Sequence, residues 1–133
     1  MATLLSAISK SINKQKAEAI AAAGHFRESI SCVDLTDACR MTVSELHRAS
    51  LPMKLSITRV IQGKISEEEN SDELYGAFVD MYESARLKHD TFAMSIAQMI
   101  GQKLNDMGDY RVETKQSNNG EKTIYVPARR DRY

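Results

Sequence analysis

Several features that would assign this chain to a class at once are missing from its 133 residues. No apolar run approaches the roughly 20 residues that a membrane-spanning helix needs. The opening Met1-Ala2-Thr3-Leu4-Leu5 has neither the basic start nor the long apolar centre of a secretory signal. Cysteine is scarce: Cys32 and Cys39, at a spacing that can place both on one helix face, do not make a disulfide scaffold, and a cytoplasmic setting is expected. There is no glycine-rich phosphate loop and no Gly-x-Ser-x-Gly, and Gly63-Lys64 is followed by Ile65 rather than Ser or Thr. His25, Cys32, Cys39 and His47 form none of the short metal-ligand spacings, so neither metal nor cofactor is expected. Asp34 and Asp37 lie one helical turn apart, but nothing positions a partner for acid–base work. The reading is a chain that is not an enzyme and does not cross a membrane.

Net charge is also lacking, yet its distribution is uneven. Residues 1–64 carry nine Lys and Arg against five Asp and Glu, residues 65–109 three against ten, and residues 110–133 six against three. Basic ends can face phosphates while an acidic middle keeps away from them, although an acidic helix balancing basic ones inside one fold gives the same totals.

What is present is helical periodicity in a single domain with ordinary globular composition. Leu4, Leu5, Ile8, Ile12 and Ala19 share a stripe over Thr3–Ala23, with Gly24 placed to end that first helix. His25–Arg40 reads as a second helix, through Phe26, Ile30, Val33 and Ala38. Glu67, Glu68 and Glu69 precede Asn70 and Ser71, which suit a helix cap. From Leu74 through Phe78, Met81, Ala85, Phe92, Ile96 and Met99 the rhythm continues to Met107, as two helices broken at His89-Asp90, one of them contributing to a homodimer. Tyr110–Lys115 and Lys122–Val126, either side of Ser117-Asn118-Asn119-Gly120, predict a β-hairpin stopped by Pro127 and followed by a basic tail. The fold class expected is mainly α: a compact helical domain with a C-terminal β-hairpin.

The segment Met41–Lys64 carries the strongest functional signal. Thr42 or Ser44, with Glu45, can cap a first short helix; Leu46 and Ala49 point inward; Pro52 opens a second helix that Gly63 ends. Leu55, Ile57, Val60 and Ile61 supply the buried side of that helix, although Leu55 and Ile57 cannot face inward equally. This pair, and the ending Ser56-Ile57-Thr58-Arg59-Val60-Ile61-Gln62-Gly63-Lys64 in particular, resembles the helix-turn-helix of bacterial and phage repressors. The resemblance covers about a sixth of the chain. It departs from that pattern at His47, where the family has a small residue, and at Leu51, where it has the turn glycine. The likeness implies sequence-specific binding of double-stranded DNA by a dimeric transcriptional regulator. Lys54, Ser56 and Thr58 would then face base edges, with Arg59 and Lys64 on phosphates.

A helix followed by a hairpin also resembles the last helix and wing of winged-helix proteins, and Arg111, Lys115 and Lys122 on the hairpin, with Arg129 and Arg130 on the tail, would add contacts to the backbone. The competing expectation is a protein-interaction module without DNA binding. Its partner would dock on the acidic 65–109 segment, where Met81, Met94 and Met99 look exposed.

Overall fold

A computed structural model describes residues 2–108, 113–116 and 123–127. Five helices and one hairpin follow in chain order: α1 (Ala2–Ser31), α2 (Leu35–Arg48), α3 (Leu51–Glu67), α4 (Ser71–Lys88), α5 (Thr91–Met107), β1 (Glu113–Gln116) and β2 (Thr123–Val126). The mainly helical fold with a C-terminal hairpin is the one the periodicity predicts. Among the described residues no helix is long and apolar enough to cross a membrane.

The breaks between helices are set by capping chemistry. Asp34 accepts the Asp37 N–H at 2.8 Å and starts α2. Asn70 accepts from Asp72 and Glu73 to start α4, and Asp90 accepts from Phe92 and Ala93 to start α5. Each side-chain oxygen satisfies amides that the first turn of a helix leaves without partners. The break at His89-Asp90 lies where the sequence puts it, with His89 in the left-handed region at φ 51°.

Several local expectations fail, most of them because tertiary packing overrides a local signal and one because Asp34 caps a new helix. Gly24 does not end α1: the buried stripe Ala19, Ala23, Phe26, Ile30 runs straight across it, and that burial outweighs the roughly 1 kcal/mol a helical glycine costs. The helix expected over His25–Arg40 is therefore divided between α1 and α2. Cys32 lies in the connection between them and Cys39 is buried in α2, so the two thiols do not share a helix face. Thr42 caps nothing: it is buried in mid-α2 and its hydroxyl donates to the Ala38 carbonyl at 2.7 Å. Ser44 is also internal to α2. Gly63 does not end α3, because Ile65 one half-turn later is drawn into the core.

The core is continuous. Leu74, Phe78 and Met81 of α4 meet Ile96, Ile100 and Leu104 of α5, while Phe26 and Ile30 of α1 pack with Ile57, Val60 and Ile61 of α3. Leu35, Ala38, Cys39 and Leu46 place α2 against all four other helices. Burial, aided by Asp80, pushes the Cys39 thiol up to about 12, which keeps it protonated and unreactive. Met81 is core rather than surface, and Met94 and Met99 are half-buried. The apolar stripe shared by α4 and α5 is thus largely packed inside the chain.

The hairpin is fastened to α5. Glu113 pairs with Val126, Thr114 with Tyr125, Lys115 with Ile124 and Gln116 with Thr123, all antiparallel. The Gln98 side chain accepts the Tyr125 N–H at 2.6 Å and donates to its carbonyl at 2.9 Å, and the Tyr125 hydroxyl donates to Gln102 at 2.5 Å.

Candidate nucleic-acid interface

Ala49 and Ser50 join α2 to α3 in extended backbone, with no residue in the left-handed region. Leu51 therefore occupies the first turn of α3 without strain, and the departure from glycine there is accommodated by a differently built connection. His47 does not wedge the helices apart either. It turns toward α5, where its Nε2 lies 3.0 Å from Asp90 Oδ2 and its ring meets Phe92 edge-on at 5.0 Å.

On α3, Ile57, Val60, Ile61 and Ile65 face the core, so Leu55 is the residue that loses the contest with Ile57. The outward stripe is Leu51, Leu55, Arg59, Gln62 and Ser66, with Leu51 71% and Leu55 58% exposed. Lys54, Ser56 and Thr58 flank it, all half-buried. The Lys54 ammonium sits 5.1 Å from the centre of the Phe92 ring, and the Thr58 hydroxyl donates to the Lys54 carbonyl at 2.7 Å. Lys54 and Thr58 thus already have partners within the chain, whereas Arg59 projects outward. Replacing Leu51 or Leu55 with glutamine is expected to change stability by less than about 0.5 kcal/mol in a urea titration. A larger loss would mean that these leucines are covered.

Arg59 and Lys64 meet at a cleft between α1 and α3, lined also by Arg27, Ser31, Gly63 and Glu67 over a floor of Ile30 and Val60, with a volume of about 430 Å³. Arg27, at the margin of the α1 stripe, is the site residue that sequence reasoning missed. Its only signal was its place between Phe26 and Ile30, and nothing local says that α1 lies along α3. The ion pairs among the described residues are Arg40–Asp80, His47–Asp90 and Arg48–Glu45. Arg40 and Arg48 of α2 are therefore neutralised, while Arg27, Arg59 and Lys64 share one cleft without a salt bridge among the described residues. Glu67 brings the cleft's opposing charge to its rim. Nearby, burial and a hydrogen bond to Glu73 raise the Glu68 carboxyl above its ordinary value. Glu73 itself accepts the Leu35 N–H at 3.0 Å, holding the start of α2 against that of α4.

Lys115 lies in β1, while Arg111, Lys122, Arg129 and Arg130 fall outside the described residues. A second, open concavity of about 920 Å³ runs between α3, α5 and β2, lined by Gln62, Ser66, Ser95, Gln98, Gln102 and Tyr125 among others, and is largely uncharged. Among the described residues no group of three or more His, Cys, Asp or Glu is placed to hold a metal ion. No family model, curated protein or solved structure matches the chain.

Proposed function

We propose that this chain binds double-stranded DNA, with Arg27, Arg59 and Lys64 on the phosphate backbone and the outward stripe of α3 toward the groove. The observation that carries the reading is the convergence of these three cations, without salt-bridge partners among the described residues, on one cleft. Arginine pairs with phosphate oxygens through a planar fork of donors, and releasing the counterions condensed on DNA makes such contacts favourable at low salt. Gln62 and Ser66, exposed beside Arg59, supply hydrogen-bonding groups for base edges. Regulation of transcription by a dimer is the role that the helix-turn-helix likeness implies, and it belongs to the same proposal.

Fluorescence anisotropy on random-sequence duplex DNA across a salt series tests it. Arg27→Ala and Arg59→Ala are each expected to reduce the slope of log affinity against log salt by about one. Glu67→Gln, which removes the opposing charge from the same rim, is expected to tighten binding. An absence of binding at low salt, or identical slopes in all variants, would end the DNA reading.

A second reading has its own observation. Leu51 and Leu55 stand one helical turn apart on the open side of α3, an apolar pair of the kind that anchors a protein partner. Association through them would be insensitive to salt, which separates the two readings.

A further inference from the structure

We propose that the outer edge of β1 is a self-association site, at which a second copy of this chain adds its own β1 antiparallel about a two-fold axis through Thr114. In an antiparallel ladder the N–H and C=O of one residue point to the same side, and the side alternates along the strand. Both Tyr125 backbone groups are held by Gln98 of α5, so they point away from β1. Thr114, the partner of Tyr125, must then be at a non-hydrogen-bonded position within the hairpin, with its own N–H and C=O turned outward. The same alternation turns Gln116 outward. The two edges of the sheet are consequently unlike. The outer edge of β2 is closed by a side-chain amide, whereas among the described residues no strand pairs with the outer edge of β1. Thr114 and Glu113 are both exposed there.

The charges on β1 choose the occupant and its register. Hydrogen bonding across the new edge requires outward-facing residues to oppose one another, which leaves few alignments of this strand with itself. Centred on Thr114, the two threonines exchange a pair of hydrogen bonds, and Glu113 of each copy stands across from Lys115 of the other. Centred on Lys115, the two lysines oppose each other at the closer, non-hydrogen-bonded spacing, where like charges are destabilising. The sequence Glu113-Thr114-Lys115 is therefore complementary to itself in one register and opposed to itself in the next. Two-fold pairing satisfies both copies at once and closes the assembly, giving one four-stranded antiparallel sheet. With edges this short, association is in the micromolar range or weaker.

Sedimentation velocity over a wide range of protein concentration tests this edge. The parent is expected to pass from monomer to dimer and no further. Thr114→Pro removes the N–H that each copy donates at the centre of the new edge, and because that N–H does not bond to β2 the hairpin itself is spared. It is expected to weaken the dimer about tenfold or more. Glu113→Lys and Lys115→Glu, each placing like charges across the axis, are expected to weaken it as well, and the double variant Glu113→Lys with Lys115→Glu to restore it. Circular dichroism on each variant checks that the helices persist. A parent that stays monomeric throughout, a dimer indifferent to Thr114→Pro, or a double variant no tighter than the singles would each overturn the proposal.

Discussion

Replacing Gly101 with valine is expected to lift β2 off α5 and to lower stability by about 2–3 kcal/mol. A Cβ at position 101 would lie 2.7 Å from Cβ of Tyr125 and 3.1 Å from Cε1 of Phe78. Neither neighbour can give easily. The first is the root of a side chain whose backbone is held on both sides by Gln98, and the second belongs to a ring with no exposed surface. Valine adds two methyl groups to this contact, and its stiffness in a helix leaves few rotamers to escape by. Alanine separates the two opposing effects: it gains about 1 kcal/mol of helix propensity and still meets the Tyr125 Cβ, so its loss is smaller. The thermal midpoint reports the total, and hydrogen exchange at the Tyr125 amide reports the hairpin alone. If valine at 101 leaves both unchanged, the strand does not rest on α5 as described.

Removing the Asp90 side chain, as in Asp90→Ala, is expected to cost about 1–2 kcal/mol. One carboxylate oxygen caps α5 through the Phe92 and Ala93 amides at 3.0 and 3.2 Å, and the other meets His47 at 3.0 Å. Asp90→Asn keeps an acceptor for the cap but not the charge, so it should lose only part of that stability. The pH dependence has a definite sign. Burial raises the Asp90 carboxyl, but the hydrogen bond from His47, those from the Ala93 and Phe92 amides, and the charge of His47 together hold it below its ordinary value. A carboxyl lowered in the folded state binds fewer protons there than in the unfolded chain. Its contribution is therefore whole above the ordinary carboxylate range and is lost as pH falls through the lowered value. Denaturant titrations at neutral and acid pH should show a shallower acid limb for Asp90→Asn than for the parent. Equal losses in Asn and Ala variants, or superimposable acid limbs, would remove Asp90 from this role.

The same residue shows what kind of information the chain carries locally. Asp90 and Asn70 are recognisable as caps because the requirement is local: a short side-chain oxygen, an amide two or three residues on, and an apolar rhythm beginning there. The hairpin is legible for a similar reason, since Asn119-Gly120 between alternating segments specifies a turn without reference to the rest of the protein. His47 is the contrary case. It stands where the repressor pattern has a small residue, and only the position of α5 gives its ring Phe92 and Asp90 to turn toward.

The candidate site divides along the same line. The basic character of Arg59 and Lys64, their proximity on one helix and the excess of positive charge before residue 65 can be read from the order of residues. That Arg27 joins them, that Lys54 lies over Phe92, and that Leu55 rather than Ile57 faces outward cannot. Each depends on which face of α3 the other helices cover, and that choice is made by the whole core, in which burial over α1, α2 and α5 is added together. For this reason Gly24 and Gly63 failed as stop signals: a glycine penalty of about 1 kcal/mol is a local quantity, and the buried stripes that cross it are collective. The sequence by itself determined the element types, two helix breaks and the presence of a C-terminal strand pair, because capping and strand alternation act within a few residues. The tertiary structure alone decided where helices run on, which side of each is open and which charges come together, because burial is shared among segments far apart in the chain.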